Sequence, residues 1–157
     1  MEPIFERVMS KEAAKELLRS IEQLDDAYFV DRSKFAPNIS LDSTRNKYLS
    51  MSDASMPSDT LFTLQELFKE TPVEEFLVNR YYEGMSIGPH KDANLVNYSS
   101  VLFLEDDVQV LSVVIDGKWV KVPDESGTMI TFGIDTVHKV DPVNKVRHSI
   151  IILRDRI

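Results

Sequence analysis

Two patterns of apolar spacing divide the chain. After Ser10, Ala14, Leu17, Leu18, Ile21 and Leu24 recur at helical intervals, which predicts a helix over 11–24. Ser58-Asp59 reads as the cap of a second helix carrying Leu61, Leu64, Leu67 and Phe68. That helix should stop near Thr71-Pro72, because the residue before proline is pushed out of helical geometry. From Val73 onward the period changes to two. Short strands are predicted at Phe76–Tyr82, Ser99–Leu104, Val108–Val114, Lys118–Val122, Thr128–Phe132 and Ser149–Leu153. Asp116-Gly117 is a two-residue turn of the kind that closes a hairpin. Short strands behind a helical front predict an α+β, mainly β chain: an antiparallel barrel or jelly roll supported by N-terminal helices. We read one domain over 1–157, with about 1–72 as helical support and about 73–157 as barrel. The stretch 33–57, rich in Ser, Asn, Asp, Pro and Met, is either a substrate lid or an insertion without a role.

Composition narrows the chemistry. The chain has 157 residues, 43% hydrophobic and 28% charged, as in ordinary globular proteins. The first residues, Met-Glu-Pro-Ile-Phe-Glu-Arg, lack the apolar run of a secretory signal, and no stretch approaches the length of a membrane span. Cytoplasmic residence, away from membranes, is the expectation. The absence of cysteine removes disulfides, thiolate nucleophiles and iron–sulfur clusters. Any metal must therefore be held by nitrogen and oxygen, and only His90, His138 and His148 supply imidazole. A formal charge of −8 argues against broad attraction to nucleic acid, although a local basic patch would be compatible with it.

His90-Lys91-Asp92 is a His-x-Asp pair, and on extended backbone residues i and i+2 point the same way. His138, at the start of a later strand, can close a third position. Two histidines and one carboxylate on one face of an ion form the facial triad of non-haem iron(II) oxygenases, which leaves coordination positions open. Zinc also accepts such ligands. Nine residues after His138 comes Arg147, which shares a strand face with Ser149, Ile151 and Leu153. A guanidinium pointing into a barrel needs an anion. Either a dicarboxylate ligand or a structural Asp or Glu would serve. His148, of opposite parity, reads as exterior. Upstream, Asn79 and Tyr81 share a face, and Gly84 and Gly88 permit tight turns before the ligands. Tyr81 fits either a half-buried barrel aromatic or a donor beside Arg147.

Over about 76–154 the chain resembles the 2-oxoglutarate/iron(II) dioxygenases, built on a double-stranded β-helix. Asn79-Arg-Tyr-x-x-Gly-Met-x-x-Gly-x-His-x-Asp92 looks like the metal-binding strand of prolyl-4-hydroxylase-like enzymes of the PKHD type. It is also similar to the corresponding segment of AlkB-type nucleic-acid demethylases. His138-x-Val-x-Pro-Val…Arg147 resembles the distal histidine and cosubstrate arginine of the hydroxylases. The hairpin Asp116-Gly-Lys-Trp-Val-Lys-Val-Pro123 is faintly similar to small-molecule oxidases of the same superfamily.

The resemblance implies that His90, Asp92 and His138 ligate Fe(II). It implies that Arg147, aided by Tyr81 and Ser149, grips 2-oxoglutarate, with Asn79 near the other carboxylate. The implied reaction uses O2 to hydroxylate a substrate C–H bond while 2-oxoglutarate becomes succinate and CO2, with ascorbate as a supporting reductant. Two departures stand out. Glu105-Asp-Asp-Val-Gln109 replaces the Gly-Gly-Glu usual in prolyl-type hydroxylases. The arginine that AlkB-type enzymes carry six residues after the first is Leu153 here, and Arg154 falls on the opposite face.

Protein or peptide hydroxylation is the leading expectation for substrate, with small molecules and nucleic acid behind it. Arg32, Lys34, Arg45 and Lys47 lie with Phe35 and Tyr48 in one window that offers basic and aromatic groups to a base. A barrel that kept its shape and lost its chemistry is the non-enzymatic alternative, and the complete ligand set argues against it. A zinc hydrolase would leave Arg147 without a purpose. Oligomeric state is not legible in the sequence.

Overall fold

A computed structural model describes residues 1–32, 47–92, 96–106 and 108–157. The elements in chain order are β1 (Ile4–Arg7), α1 (Lys11–Glu22), β2 (Val30–Asp31), β3 (Leu49–Ser52), α2 (Ser58–Leu67), β4 (Glu75–Tyr81), β5 (Ile87–His90), β6 (Tyr98–Phe103), β7 (Leu111–Ile115), β8 (Lys118–Lys121), β9 (Thr128–Gly133), β10 (His138–Val140) and β11 (Arg147–Arg154). The strands make two antiparallel sheets, ordered β1-β9-β6-β11-β4-β3-β2 and β5-β10-β7-β8. From β4 to β11 the chain winds between them, and this is the double-stranded β-helix. Among the described residues, no helix is long and apolar enough to cross a membrane.

The large sheet is covered on both sides, and strand alternation decides which residue faces which cover. Along β11, Ile150 and Ile152 join Val78, Leu102 and Met51 in a core with Ala14, Leu17 and Ile21 of α1 and Leu64 of α2. Val101, Phe103, Ile130 and Phe132 face the other way, against Ile87, Leu111, Val113 and Val140 of the small sheet. Helix α1 begins where Ser10 accepts a hydrogen bond from Ala13 N at 3.1 Å, a cap worth about 1 kcal/mol. The Asp116-Gly117 turn has both residues at positive φ, 51° and 76°, and joins β7 to β8 with Ile115 paired to Lys118.

Three expectations are corrected. The stretch 33–57 does not run on as loop to its end: Leu49–Ser52 pairs with Leu77–Arg80 as β3, its Leu and Met spaced by serines. The second helix has Pro57 at the cap position, without a side-chain hydrogen bond, and Ser58 is its first helical residue. His148 is not exterior. It is 3% exposed, because the sheet face opposite Arg147 lies beneath α1 and the turn after it.

Arg80 organises that face. Its Nε donates to His148 Nε2 at 2.8 Å, Nη2 to Ile21 O at 2.9 Å, and Nη1 to Leu24 O and Asp26 Oδ1 at 2.9 and 2.7 Å. The Tyr82 hydroxyl also donates to Asp26 and, with Arg80, holds that carboxyl below its usual range. Burial first, then Arg80 and Arg147, push His148 down to about 4. The unfolded chain would take up a proton near 6.5 that the native state refuses. Stability therefore falls as pH drops from about 6.5 towards 4, by about 3 kcal/mol from this group. Urea midpoints across that window should fall more steeply for the parent than for His148→Gln, and parallel curves would refute the assignment.

Candidate metal and cosubstrate site

The small sheet builds the ion-binding constellation by register. β10 pairs with β5 so that His138 lies directly across from His90, and a bulge between His138 and Val140 shifts the ladder beside it. Asp92, two residues past His90, falls on the same side. His138 Nε2 and His90 Nε2 lie 3.3 and 3.6 Å from Asp92 Oδ1, and all three ligand atoms lie within 4.8 Å of one another. Donors about 2.1 Å from one ion on adjacent octahedral positions sit about 3 Å apart, and the two imidazole–carboxylate separations are already close to that.

Both rings are already set for ligation. His90 Nδ1 lies 2.8 Å from Gly88 O, and His138 Nδ1 lies 3.0 Å from Thr136 O. A carbonyl only accepts, so each Nδ1 carries the proton and each Nε2 presents a lone pair. Burial alone would raise the Asp92 carboxyl, but the two imidazoles hold it well below the usual range. Burial alone would lower His138, yet Asp92 raises it. A half-buried anion whose neighbours are the two ligand imidazoles fits a divalent cation, and the all-N/O donor set suits iron(II).

The large sheet supplies the second half. The β4–β11 register places Tyr81 opposite Arg147 and Asn79 opposite Ser149, so four polar side chains enter one cavity from two adjacent strands. That cavity, about 220 Å³, also takes in His90, Asp92 and His138. Arg147 is 2% exposed, and its guanidinium lies 5.4 Å from the Tyr81 ring centroid. Nη1 reaches Ser149 Oγ at 3.4 Å, whereas Nη2 is buried without a partner among the described residues, as is Asn79 Oδ1. Burial pushes the Tyr81 phenol up, so it keeps its proton to donate. An unsatisfied guanidinium edge beside a protonated phenol and a serine can accept a carboxylate, and these residues fit one end of 2-oxoglutarate.

Every metal and cosubstrate candidate read from the sequence thus lines one cavity. The substrate candidates do not gather in the same way. Lys34, Phe35 and Arg45 lie outside the described residues. Lys47 is exposed and its backbone bridges to Ser86. Tyr48 is buried, stacked on Tyr81 with centroids 5.8 Å apart, and so walls the cavity.

Two kinds of residue escaped the sequence reading. Glu75 and Leu77 extend the Asn79–Tyr81 face along β4, which alternation would have found; Arg32, already read as part of the basic window, lines the same cavity. Asp124, buried, places Oδ2 3.7 Å from Arg147 Nε, and no local pattern marks it.

Comparison with known proteins agrees with the fold. No family profile and no curated protein matches the chain by sequence. Solved structures do match, and the likeness is one of fold: the chain has the fold of the 2-oxoglutarate/iron(II) oxygenases, with prolyl-hydroxylase-like structures among its neighbours. It is similar to a Pseudomonas putida prolyl-4-hydroxylase (TM-score 0.71, 15% identity, covering 97% of this chain and 92% of that one). It is also similar to a Trichoplax adhaerens prolyl hydroxylase in complex with a hypoxia inducible factor peptide fragment (0.72, 13%, 98% and 83%). A third is the non-heme alpha ketoglutarate dependent carbocyclase SnoK from nogalamycin biosynthesis (0.65, 14%, 99% and 83%).

Proposed function

We propose that this chain is an Fe(II)- and 2-oxoglutarate-dependent dioxygenase that hydroxylates a C–H bond of a protein or peptide side chain. The observation that carries the reading is the meeting of two half-sites in one cavity. Three ligand atoms converge from the small sheet, and a buried guanidinium edge without a partner points in from the large one.

Bound iron(II), with 2-oxoglutarate and O2, would supply the oxidising power for hydroxylation, with release of succinate and CO2. The chain's own residues do the positioning. His90, Asp92 and His138 hold the metal on one side and leave its other side open. Arg147, Ser149 and Tyr81 hold one carboxylate of the dicarboxylate, and Asn79 stands one residue pair further along the strands. Leu77, Val101, Ile151 and Leu153 form apolar walls that limit water around the reacting atoms.

Three observations support a peptide side chain over a nucleic acid. The net charge of −8 opposes a phosphate footprint, and Tyr48 is engaged with Tyr81 instead of being presented to a base. The peptide seated in one structural neighbour supports the same choice. Purified protein given iron(II), ascorbate and 2-oxoglutarate should release succinate slowly alone and faster with its substrate. A screen of peptides, small acids and methylated oligonucleotides identifies the class by which arm accelerates release. Arg147→Leu should raise the 2-oxoglutarate requirement about 100-fold, the cost of removing one partner of a buried charged pair. An unchanged requirement would remove Arg147 from the cosubstrate site.

A further inference from the structure

The mechanism uses one face of Arg147, and the other face is occupied. Asp124 lies behind the guanidinium, outside the cavity lining, with Oδ2 3.7 Å from Nε. Its other oxygen, Oδ1, is buried with no hydrogen-bond partner among the described residues. Glu105, two residues past β6, also bears on this group, and its Oε2 is likewise buried and unpartnered among the described residues. The buried guanidinium therefore already faces one acid at 3.7 Å and acts on a second, Glu105, whose charge it shares with Lys145, before any ligand arrives. A dicarboxylate on Nη2 would add a further anion to the same guanidinium in a site shielded from water. Three anions around a single buried cation are electrostatically costly, and the inexpensive remedy at neutral pH is a proton.

Resting on the 2-oxoglutarate reading of the site, we propose that Asp124 is a positioning residue for Arg147 and the proton acceptor coupled to cosubstrate binding. Without ligand, Asp124 is ionised above about pH 7 and there balances the guanidinium from behind. When a carboxylate docks on Nη2, Asp124 takes a proton from solvent and the guanidinium turns its charge to the ligand. The surroundings favour Asp124 for this task. Burial, opposed by Arg147 and reinforced by Glu105, lifts its carboxyl to about 7, so little more is needed to protonate it. The other groups facing this cluster are poorly suited. His148 is already neutral at pH 7, with Nε2 accepting from Arg80. Glu105 is raised by burial, but Lys145 and Arg147 pull it back, while Glu22 adds to the rise.

The sign follows from linkage. Both carboxylates of 2-oxoglutarate are ionised throughout the neutral range, so ligand binding raises the Asp124 affinity for protons and takes one up. Binding must then weaken as pH rises above about 7, by up to about tenfold per pH unit for one proton.

The test is calorimetric titration of 2-oxoglutarate into Mn(II)-loaded protein at several pH values between 6.5 and 8.5. Each is repeated in buffers of different ionisation enthalpy, which counts protons directly. The parent should take up between half a proton and one proton per ligand near pH 7.5. Asp124→Asn, which keeps the shape, should take up almost none, and its Kd should be flat with pH. Glu105→Gln should still take up a proton, with the pH dependence displaced to lower pH.

Binding without proton uptake in the parent overturns this inference and leaves the cosubstrate reading standing. Uptake that survives in Asp124→Asn and vanishes in Glu105→Gln moves the role to Glu105 and overturns the assignment. No binding of 2-oxoglutarate to the Mn(II)-loaded parent overturns both.

Discussion

Asp92→Ala is expected to lose metal retention and succinate release together while the fold survives. Asp92 is the only carboxylate in the described ligand cluster, and it lies between two imidazoles whose Nδ1 protons are committed to Gly88 and Thr136. Without it, two neutral nitrogens face the ion and no negative charge offsets it. Changes that only disturb the orientation of a ligand cost about 10–100-fold in metal affinity, so removal of a ligand itself should exceed that. The loss should not unfold the protein, because Asp92 follows β5 and forms no part of either apolar core. Equilibrium dialysis with Mn(II), read beside a thermal melt, checks both halves. A variant that retains metal as the parent does would show that the convergence of these side chains is structural.

Arg80→Met carries the largest expected effect on stability. The parent side chain is 3% exposed, donates to Ile21 O, Leu24 O, Asp26 and His148, and lies over the Phe29 ring with Cζ 4.1 Å from its centroid. The two carbonyls belong to the last turn of α1 and the residues just after it; Ile21 O keeps a backbone donor, Leu24 N at 3.0 Å, whereas Leu24 O and His148 Nε2 rely on the guanidinium among the described residues. Methionine fills part of the volume and satisfies neither. Two stranded acceptors beneath α1, with the lost contact to Phe29, should cost about 3–5 kcal/mol. In a chain of this size that is a fall in Tm of about 10 °C. A shift of only one or two degrees would mean that water replaces the guanidinium, and that α1 is held by its apolar face alone.

Strand β11 shows where sequence reading works on this chain and where it stops. Arg147 and Ser149 could be placed on the cavity face because alternation is strict along a long strand, and the register confirms it through Leu153. The same parity sent His148 outward. The error was physical: a strand alternates between faces, not between inside and outside, and here both faces are covered. Arg154 illustrates the point again. It falls opposite Leu153 as the spacing requires, yet it is buried, with Nη2 donating to Ser100 and Thr131 at 2.7 and 3.1 Å.

The short strands were the other loss. β5 reads Ile-Gly-Pro-His and β10 spans only three residues, too little for a periodic signal, although they hold two of the three ligands. β1 is exposed at all four positions, so it buries no face that a pattern could reveal. The ligands themselves were legible because His-x-Asp needs only two positions of alternation. Asp124 was not. Its role depends on a loop after β8 reaching the start of β11, a contact between residues 23 apart that no local pattern encodes.

The most direct measurement is a crystal structure of the protein grown with Mn(II) and 2-oxoglutarate, with anomalous data collected for manganese. The site described here requires a single strong peak bonded to His90 Nε2, His138 Nε2 and Asp92 Oδ, with a bound dicarboxylate reaching from that peak to Arg147 Nη2. An absent peak, or a dicarboxylate held away from Arg147 with the guanidinium still unpaired, would contradict it.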